Sequence, residues 1–162
     1  MASDTLHQSI SQTLNQFLHS YLHASEHNDA SYVSAALTPD CIRHIRPASF
    51  LTGLGAPADL TFTPQAYQEV FAGEMPFAQT KSVQISDVTI DTTARKAAAT
   101  VVYVNEFVDD GERVTMEFAF FLSFGEDGTQ ITKILEWVDG GDCPKYQAKI
   151  QKRREKAASA GK

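Results

Sequence analysis

The stretch over residues 113–139 constrains the fold most, because it has the pattern of a long β-hairpin. Val114 to Phe124 is rich in β-branched and aromatic residues, and Ile131 to Val138 is similar after the turn Gly125 to Gly128. Side chains of a strand point alternately to its two faces. One face of the first strand takes Met116, Phe118, Phe120, Leu122 and Phe124, and the other takes Thr115, Glu117, Ala119, Phe121 and Ser123. Since both faces carry apolar residues, we expect this strand to be covered on both sides.

Helical patterns precede the hairpin, and further strands lead into it. Residues 4–26 carry apolar side chains at helical spacing, and Thr63-Pro64 starts another helix that runs to about Gly73. A shorter helix over 30–37 and a strand over 41–46 are expected between them. Residues 81–91 and 96–108 read as strands, and a phase change near Ser86-Asp87 indicates a bulge. Helices followed by an antiparallel meander, with one early strand, predict an α+β domain.

Length and charge limit the classes of protein that the chain can represent. With 162 residues, of which 43% are hydrophobic, it is expected to form a single domain with a real core. We assign residues 1–144 to this domain and residues 145–162 to a basic C-terminal helix or tail. That last segment holds seven Lys or Arg residues, whereas the net charge of the whole chain is −6. The acidic body argues against a nucleic-acid partner, since phosphate binding needs clustered positive charge.

The pattern of apolar, cysteine and histidine residues bears on location and on metal binding. There is no apolar run long enough to span a bilayer and no secretory signal pattern over residues 1–16, so no membrane partner is expected. Cys41 and Cys143 match no ligand spacing and are interpreted as free thiols in a reducing, cytoplasmic compartment. His19, His23 and His27 lie four residues apart on the helix face opposite the apolar stripe. We therefore expect a solvated polar face there and no metal site.

Several motifs together make the chain similar to a known superfamily. They are Asp40-Cys41 through Pro47-Ala48-Ser49, Thr63 to Tyr67, Met75-Pro76, Val88 to Asp91 with Ala94-Arg95-Lys96, Glu117-Phe118, Glu126-Asp127-Gly128 and Glu136 to Asp139. On these residues the chain resembles the SnoaL-like branch of the nuclear transport factor 2-like superfamily, and within it small fungal proteins of polyketide and meroterpenoid pathways. The resemblance covers about residues 10–140. It implies a cone-shaped barrel, in which a curved, mostly antiparallel sheet has the N-terminal helices packed over its concave face.

The resemblance also implies a pocket between the helices and the concave face, and a homodimer through the other face. Enzymes of this kind need no cofactor, because acids, histidines and tyrosines move protons while the pocket holds an apolar substrate. The fold also hosts dehydratases and non-catalytic members, so function must be argued from the site. The chain departs from its relatives at Arg46, where an aliphatic residue is common, in an acidic tip over residues 105–113, and in its basic C-terminal helix.

Glu117 and His44 are the predicted catalytic residues. A carboxylate in a strand that is apolar on both faces loses solvation, which suits acid or base catalysis near neutral pH. The alternative for Glu117 is a cross-strand ion pair. His44 titrates near neutrality, and its alternative is a hydrogen-bonded histidine within the sheet. Because Ala119 beside Glu117 leaves room for a ligand, we expect the Glu117 face to line the cavity.

Five further residues are predicted to bind the substrate. Tyr103 and Asn105 share a strand face, and a tyrosine there or at Tyr67 is able to donate a hydrogen bond to an enolate oxygen. Each tyrosine has an equally good explanation as an amphipathic core residue. Trp137 is a candidate for stacking on an aromatic substrate, with a core or dimer position as the alternative. Arg43 and Arg46 lie on opposite faces of their strand, so one of them is expected to bind an oxyanion or a carboxylate while the other is solvated, and Arg46 is the one assigned to the substrate.

The hypothesis from the sequence is a cofactor-independent isomerase or cyclase that acts on a polyketide- or terpenoid-derived intermediate. Its substrate is expected to be small and apolar or aromatic. Glu117 or His44 would remove a proton next to a carbonyl, and a tyrosine, asparagine or arginine would stabilise the enolate. Two alternatives stay open, namely a dehydratase that uses the same pocket and a non-catalytic, small-molecule-binding dimeric module.

Overall fold

A curved, mostly antiparallel sheet of six strands organises the part of the chain that the structure describes. The computed structural model describes residues 2–161, with side chains from residue 4 onward. The helices are α1 (Ala2–His27), α2 (Ala48–Gly53), α3 (Pro64–Glu74) and α4 (Asp142–Ala160), with a 3-10 turn at Ala30–Ser34. The strands are β1 (Leu37–Arg46), β2 (Thr61–Phe62), β3 (Ala78–Asp91), β4 (Lys96–Phe107), β5 (Arg113–Phe124) and β6 (Ile131–Val138). The sheet is curved but not closed into a barrel. Together with the helices packed against it, it confirms the predicted α+β cone.

The strand order places the first strand beside the last. The order is β2-β1-β6-β5-β4-β3, and each neighbouring pair is antiparallel except β1 with β6. The predicted hairpin is confirmed, with Phe118 opposite Val138 and Phe121 opposite Leu135. A parallel pair needs a long crossover, and residues 47–130 supply it through α2, α3 and the meander. Side chains of β1 and β6 therefore meet although they are far apart in sequence.

The β5–β6 turn is fixed against α1 by a glycine. Gly128 has a φ of +73°, and a Cβ built there would lie 2.9 Å from Cγ1 of Ile10. The position therefore requires glycine both for its left-handed backbone and for the close approach of the helix. The hydroxyl of Thr13 donates a hydrogen bond to the Gly128 carbonyl at 2.8 Å. This contact holds the hairpin against the helix that covers the concave face.

Local signals predicted several details of the elements correctly. The Thr63 side chain accepts a hydrogen bond from the Ala66 amide and caps α3 as expected. The ladder between β3 and β4 shifts register between Ser86 and Thr89, at the predicted bulge.

The predicted helix over 30–37 is wrong in its second half, because Leu37 joins β1 and pairs with Ile131. Long-range strand pairing overrides the local helical pattern there.

Two clusters of buried side chains fill the space between the helices and the sheet. The larger cluster lies between α1 and the sheet, and the smaller one joins β1, α2 and α4. Cys143, Tyr146 and Ile150 of α4 belong to the smaller cluster, so the basic segment is a helix with one buried face. None of the helices within residues 2–161 is long and apolar enough to cross a membrane.

The basic helix and the acidic tip, both unusual against the expected family pattern, bind each other. Arg153 Nε lies 2.8 Å from Asp109 Oδ1, and its Nη2 lies 2.7 Å from Asp110 Oδ2. The Arg153 guanidinium also stacks on the ring of Phe107, 3.7 Å from the ring centroid. Lys149 pairs with Glu112 on the same side. These contacts hold α4 across one end of the concave face.

Candidate functional site

A cavity of about 200 Å³ lies between α2, α3, α4 and the concave face of the sheet. Most of its wall is apolar, with side chains that include Phe50, Leu51, Leu60, Phe62, Val70, Phe71, Met116, Phe118 and Phe120. Its polar lining residues are Tyr21, Tyr67, Glu74, Thr80, Tyr103, Asn105, Glu136, Tyr146 and Gln147. An apolar cavity with a few convergent polar groups is the usual form of a small-molecule site.

The inner face of β5 is the one with large side chains, so the prediction that the Glu117 face lines the cavity is wrong. Met116, Phe118 and Phe120 line the cavity, and Glu117 points to the opposite, outer face of the sheet and is exposed. The sheet curves around its large inner side chains, and the apolar stripe of α1 packs against that face. The small residue Ala119 creates space on the outside, where the cavity does not lie.

His44, Arg46 and Trp137 also lie on the outer face, so their predicted places in the pocket are wrong. They alternate with Ile45, Glu136 and Val138, which line the cavity. Burial, Lys133 and Arg46 lower the pKa of His44 on that outer face. The catalytic roles predicted for His44 and Glu117 therefore have no place in this cavity.

Tyr67, Tyr103 and Asn105 do line the cavity, as the sequence predicted. Tyr67 comes from α3, and Tyr103 and Asn105 come from the same face of β4. The Tyr103 hydroxyl donates to the carbonyl of Leu18 at 2.7 Å, which engages its proton and fixes the ring. Whether the three residues bind a substrate stays a prediction.

A buried ion pair lies at one end of the cavity, where Glu136 is the member of the pair that lines it. Arg43 Nη1 donates to Oε2 of Glu136 at 2.6 Å and to the hydroxyl oxygen of Tyr21 at 2.8 Å. Arg43 is 2% exposed and Glu136 is 4% exposed. The guanidinium lies 3.5 Å from the ring centroid of Tyr67, a cation–π contact. Parallel pairing of Arg43 with Ile134 and of Ile45 with Glu136 brings the two charges together.

The protonation states at this end follow from burial and charge. Burial alone would lower the pKa of Arg43, but Tyr21, Tyr67 and Glu136 outweigh it and raise the pKa, so the guanidinium stays charged. Burial raises the pKa of Tyr21 more than Arg43 lowers it. Tyr21 therefore keeps its proton at neutral pH. Because its oxygen accepts from Arg43, its own O–H cannot point at the guanidinium.

A second polar cluster lies where α3, α4 and β4 meet. Gln147 Nε2 donates to Oε1 of Glu74 at 3.0 Å. Tyr146 hydrogen-bonds both Glu74 and Asn105. Burial raises the pKa of Glu74, and the hydrogen bonds and Arg154 lower it by less. The Glu74 carboxyl thus titrates closer to neutrality than an ordinary glutamate does, a property common in catalytic acids and bases.

Five of these groups were not assigned to the site from the sequence, namely Tyr21, Arg43, Glu74, Glu136 and Tyr146, although Arg43 and Glu136 alternate with the assigned Arg46 and Trp137. A signal for two of them was present. Arg43 and Glu136 have opposite charges and alternate with apolar residues in their strands, a pattern that fits a buried pair. Glu74 and Tyr146 lie at helix positions whose meeting depends on how α3 and α4 pack, and no spacing pattern marks it.

The histidines of α1 have partners other than a metal. His19 and His23 stack with ring centroids 6.2 Å apart, and His27 stacks on Tyr32 at 5.1 Å. Within the residues that the structure describes, no three His, Cys, Asp or Glu side chains are grouped in a way that could hold a metal ion.

Comparison with known proteins gives relatives and structural neighbours. No family model matches the chain. It is 32% identical over 131 residues to monooxygenase dmxR10 of Cryptosporiopsis sp., a match that covers 62% of this chain and 85% of that protein. It is 36% identical over 66 residues to monooxygenase nsrS of Aspergillus novofumigatus, covering 39% of this chain and 43% of that protein.

Solved structures share the fold at low sequence identity. BvnE pinacolase from Penicillium brevicompactum has a TM-score of 0.71 and 16% identity, covering 89% of this chain and 92% of its own. PrhC from Penicillium brasilianum has a TM-score of 0.72 and 16% identity, covering 92% of each chain. AusH from Aspergillus nidulans has a TM-score of 0.65 and 21% identity, covering 82% of this chain and 85% of its own.

We predict that Arg43→Met lowers the free energy of unfolding by about 3–5 kcal/mol, because it leaves the Glu136 carboxylate buried without its cation. Adding Glu136→Leu should recover most of that loss. Arg113→Met is the control, since Arg113 is 66% exposed in its bridge to Glu106 and should matter by less than about 1 kcal/mol. Urea unfolding followed by circular dichroism measures all three. A double variant as unstable as Arg43→Met would contradict the prediction.

Proposed function

The chain belongs to the SnoaL-like branch of the nuclear transport factor 2-like superfamily, and on that basis we propose that it is a cofactor-independent isomerase or cyclase. Its substrate would be a small apolar or aromatic intermediate of polyketide or terpenoid secondary metabolism. The cavity itself supports this function. A carboxyl with a raised pKa, Glu74, and a protonated phenol, Tyr21, both line an apolar chamber. Groups of these two kinds are what proton transfer next to a carbonyl requires.

In the proposed mechanism Glu74 is the general base. Because burial raises its pKa, the Glu74 carboxylate holds a transferred proton better than that of an ordinary glutamate. Gln147 and Tyr146 hydrogen-bond this carboxylate and fix its orientation. Glu74 then removes a proton from the carbon next to the substrate carbonyl.

Tyr21 stabilises the enolate that results. Its oxygen accepts a hydrogen bond from the charged Arg43, which makes its own proton a stronger donor. Donation to the enolate oxygen lowers the barrier most in a site that excludes water. The apolar walls supply that environment, and Glu136 balances the charge of Arg43.

We predict that the protein catalyses exchange of the α-protons of 1-tetralone, an enolisable aromatic ketone, in deuterated water. Glu74→Gln should slow the exchange by about 10²–10⁴-fold, and Tyr21→Phe should slow it by about 10–100-fold. The rate should fall as the pH drops through the raised pKa of Glu74, because protonation removes the base. NMR measures the loss of the proton signal with time.

Glu117→Gln is the matched control for that experiment, because Glu117 is an exposed carboxylate on the outer face. It should keep the wild-type exchange rate. Equal rates for Glu74→Gln and the wild type would reject Glu74 as the base. Binding of the ketone with no exchange above background would favour the alternative of a non-catalytic binding module.

The curated relatives support a second candidate, since both carry the name monooxygenase. A monooxygenase places one atom of dioxygen in its product and reduces the other to water, with two electrons taken from an added reductant or from the substrate itself. An isomerase leaves the mass of the substrate unchanged, and a dehydratase lowers it by one water. Mass spectrometry of products formed under isotope-labelled dioxygen separates the three, because gain of one labelled oxygen identifies the monooxygenase.

We propose a reducing, cytoplasmic location. Cys41 and Cys143 are both buried, and neither of them forms a disulfide bond. Burial raises the pKa of Cys41 to about 11 and that of Cys143 to about 12, so both stay as unreactive thiols. Two buried thiols that serve as small apolar core residues are typical of proteins in a reducing compartment.

We also propose a homodimer through the outer face of the sheet. Phe121 is 48% exposed and Trp137 is 44% exposed on that face. Trp137 pairs with Ala119 and Phe121 pairs with Leu135, so these four side chains form one patch. Large aromatic side chains exposed side by side favour burial against a partner. A second copy of the chain presents the same patch, as a two-fold interface requires.

We predict that Phe121→Glu and Trp137→Glu each convert the dimer to a monomer in sedimentation velocity, because a buried, unpaired carboxylate opposes association. Val108→Glu is the control, since Val108 is also exposed but lies at the β4–β5 tip, away from the patch. It should leave the dimer intact. A wild-type protein that stays monomeric at high concentration would refute the proposed interface.

A further inference from the structure

Asn105 brings an unsatisfied acceptor to the cavity. It lies on β4, opposite Thr80 of β3 and Val114 of β5, and its side chain lines the cavity. Its Oδ1 atom is buried, and within the described part of the chain it has no hydrogen-bond partner. A buried carbonyl oxygen without a hydrogen-bond partner is uncommon and lowers the stability of the folded protein. A bound ligand with a hydrogen-bond donor would satisfy it.

The hydrogen bonds around Tyr146 orient the Asn105 amide. The contact between Tyr146 and Glu74 lowers the pKa of Glu74 and raises that of Tyr146, so Tyr146 donates its proton to the Glu74 carboxylate. The Tyr146 oxygen is then left to accept a hydrogen bond from the amide nitrogen of Asn105, which lowers the pKa of Tyr146 while burial raises it. The amide nitrogen is used in this contact, and the amide oxygen remains the free end of the side chain.

The chemistry of the surroundings narrows the donor that would satisfy this oxygen. Tyr103, Met116 and Phe118 form the neighbouring inner wall, which suits a flat aromatic or conjugated ring. An acceptor such as a methoxy or carbonyl oxygen would be repelled by Oδ1. An anionic group would be repelled by the carboxylates of Glu74 and Glu136. A neutral hydroxyl on the ring meets both conditions.

We propose that Asn105 selects substrates that carry a neutral phenolic or enolic hydroxyl, whose proton is donated to Asn105 Oδ1. The inference rests on the proposed function and specifies its substrate class. The hydroxyl would lie at the end of the cavity where Glu74 acts as base. Asn105 would thereby hold the ring in register with that carboxylate, which makes it a specificity residue.

The test is binding of 2-naphthol and 2-methoxynaphthalene by isothermal titration calorimetry. The wild-type protein should bind the naphthol about tenfold more tightly, as expected for one buried hydrogen bond. Asn105→Leu, which keeps the shape of the side chain, should bring the two affinities within about twofold. Met116→Leu changes the apolar wall alone and should keep the preference.

Equal affinities in the wild-type protein, no binding of the naphthol, or a preference that survives in Asn105→Leu would each overturn the inference. Circular dichroism confirms that each variant is folded before titration. Because binding is measured without turnover, the result is separate from the exchange experiment. If the wild-type protein failed to exchange the α-protons of 1-tetralone but still preferred 2-naphthol, the proposed function would be wrong. The selection of a hydroxyl by Asn105 would still be supported.

Discussion

The buried pair of Arg43 and Glu136 is the interaction on which the rest of the cavity depends. Two charges removed from water are stable only with close geometry and further hydrogen bonds. Here Tyr21 of α1 supplies a hydrogen bond and Tyr67 of α3 supplies an aromatic face to the same guanidinium. The pair thus joins β1 and β6 to both covering helices. Tyr21, Tyr67 and Glu136, three of the side chains joined in this way, also line the apolar cavity.

The same pair makes the two carboxyl groups of the cavity chemically different. Glu136 lies against a cation, whereas burial raises the pKa of Glu74 against the smaller opposing effects of Gln147, Arg154 and Tyr146. Acids in different environments within one site are suited to different roles, and in the proposed mechanism Glu74 is the one that acts as base. The phenol of Tyr21, the proposed donor, accepts a hydrogen bond from Arg43 and lines the same apolar space.

Local periodicity was enough to predict the hairpin, the β3 bulge and the cap of α3, since each depends on neighbours in sequence. The pattern of apolar residues in β5 does not show which of its two faces points into the cavity. β5 is apolar on both sides, and the packing of α1 decides which side is covered. Arg43 and Glu136 are brought together by a parallel pairing across most of the chain, so strand alternation separates the faces but does not reveal the partner. The ion pairs between Arg153 and the acidic tip likewise depend on how α4 packs, so the sequence pattern does not reveal them.

The fold raises the basicity of one carboxylate inside the cavity, that of Glu74, by burying it. An isotope-edited NMR titration of the glutamate side-chain carboxyl carbons, with the Glu74 signal assigned from its loss in Glu74→Gln, measures this property directly. We expect a midpoint for Glu74 above the ordinary pKa of a glutamate side chain, because burial disfavours the charged form. A Glu74 midpoint at or below that ordinary value would show that the cavity does not strengthen this base.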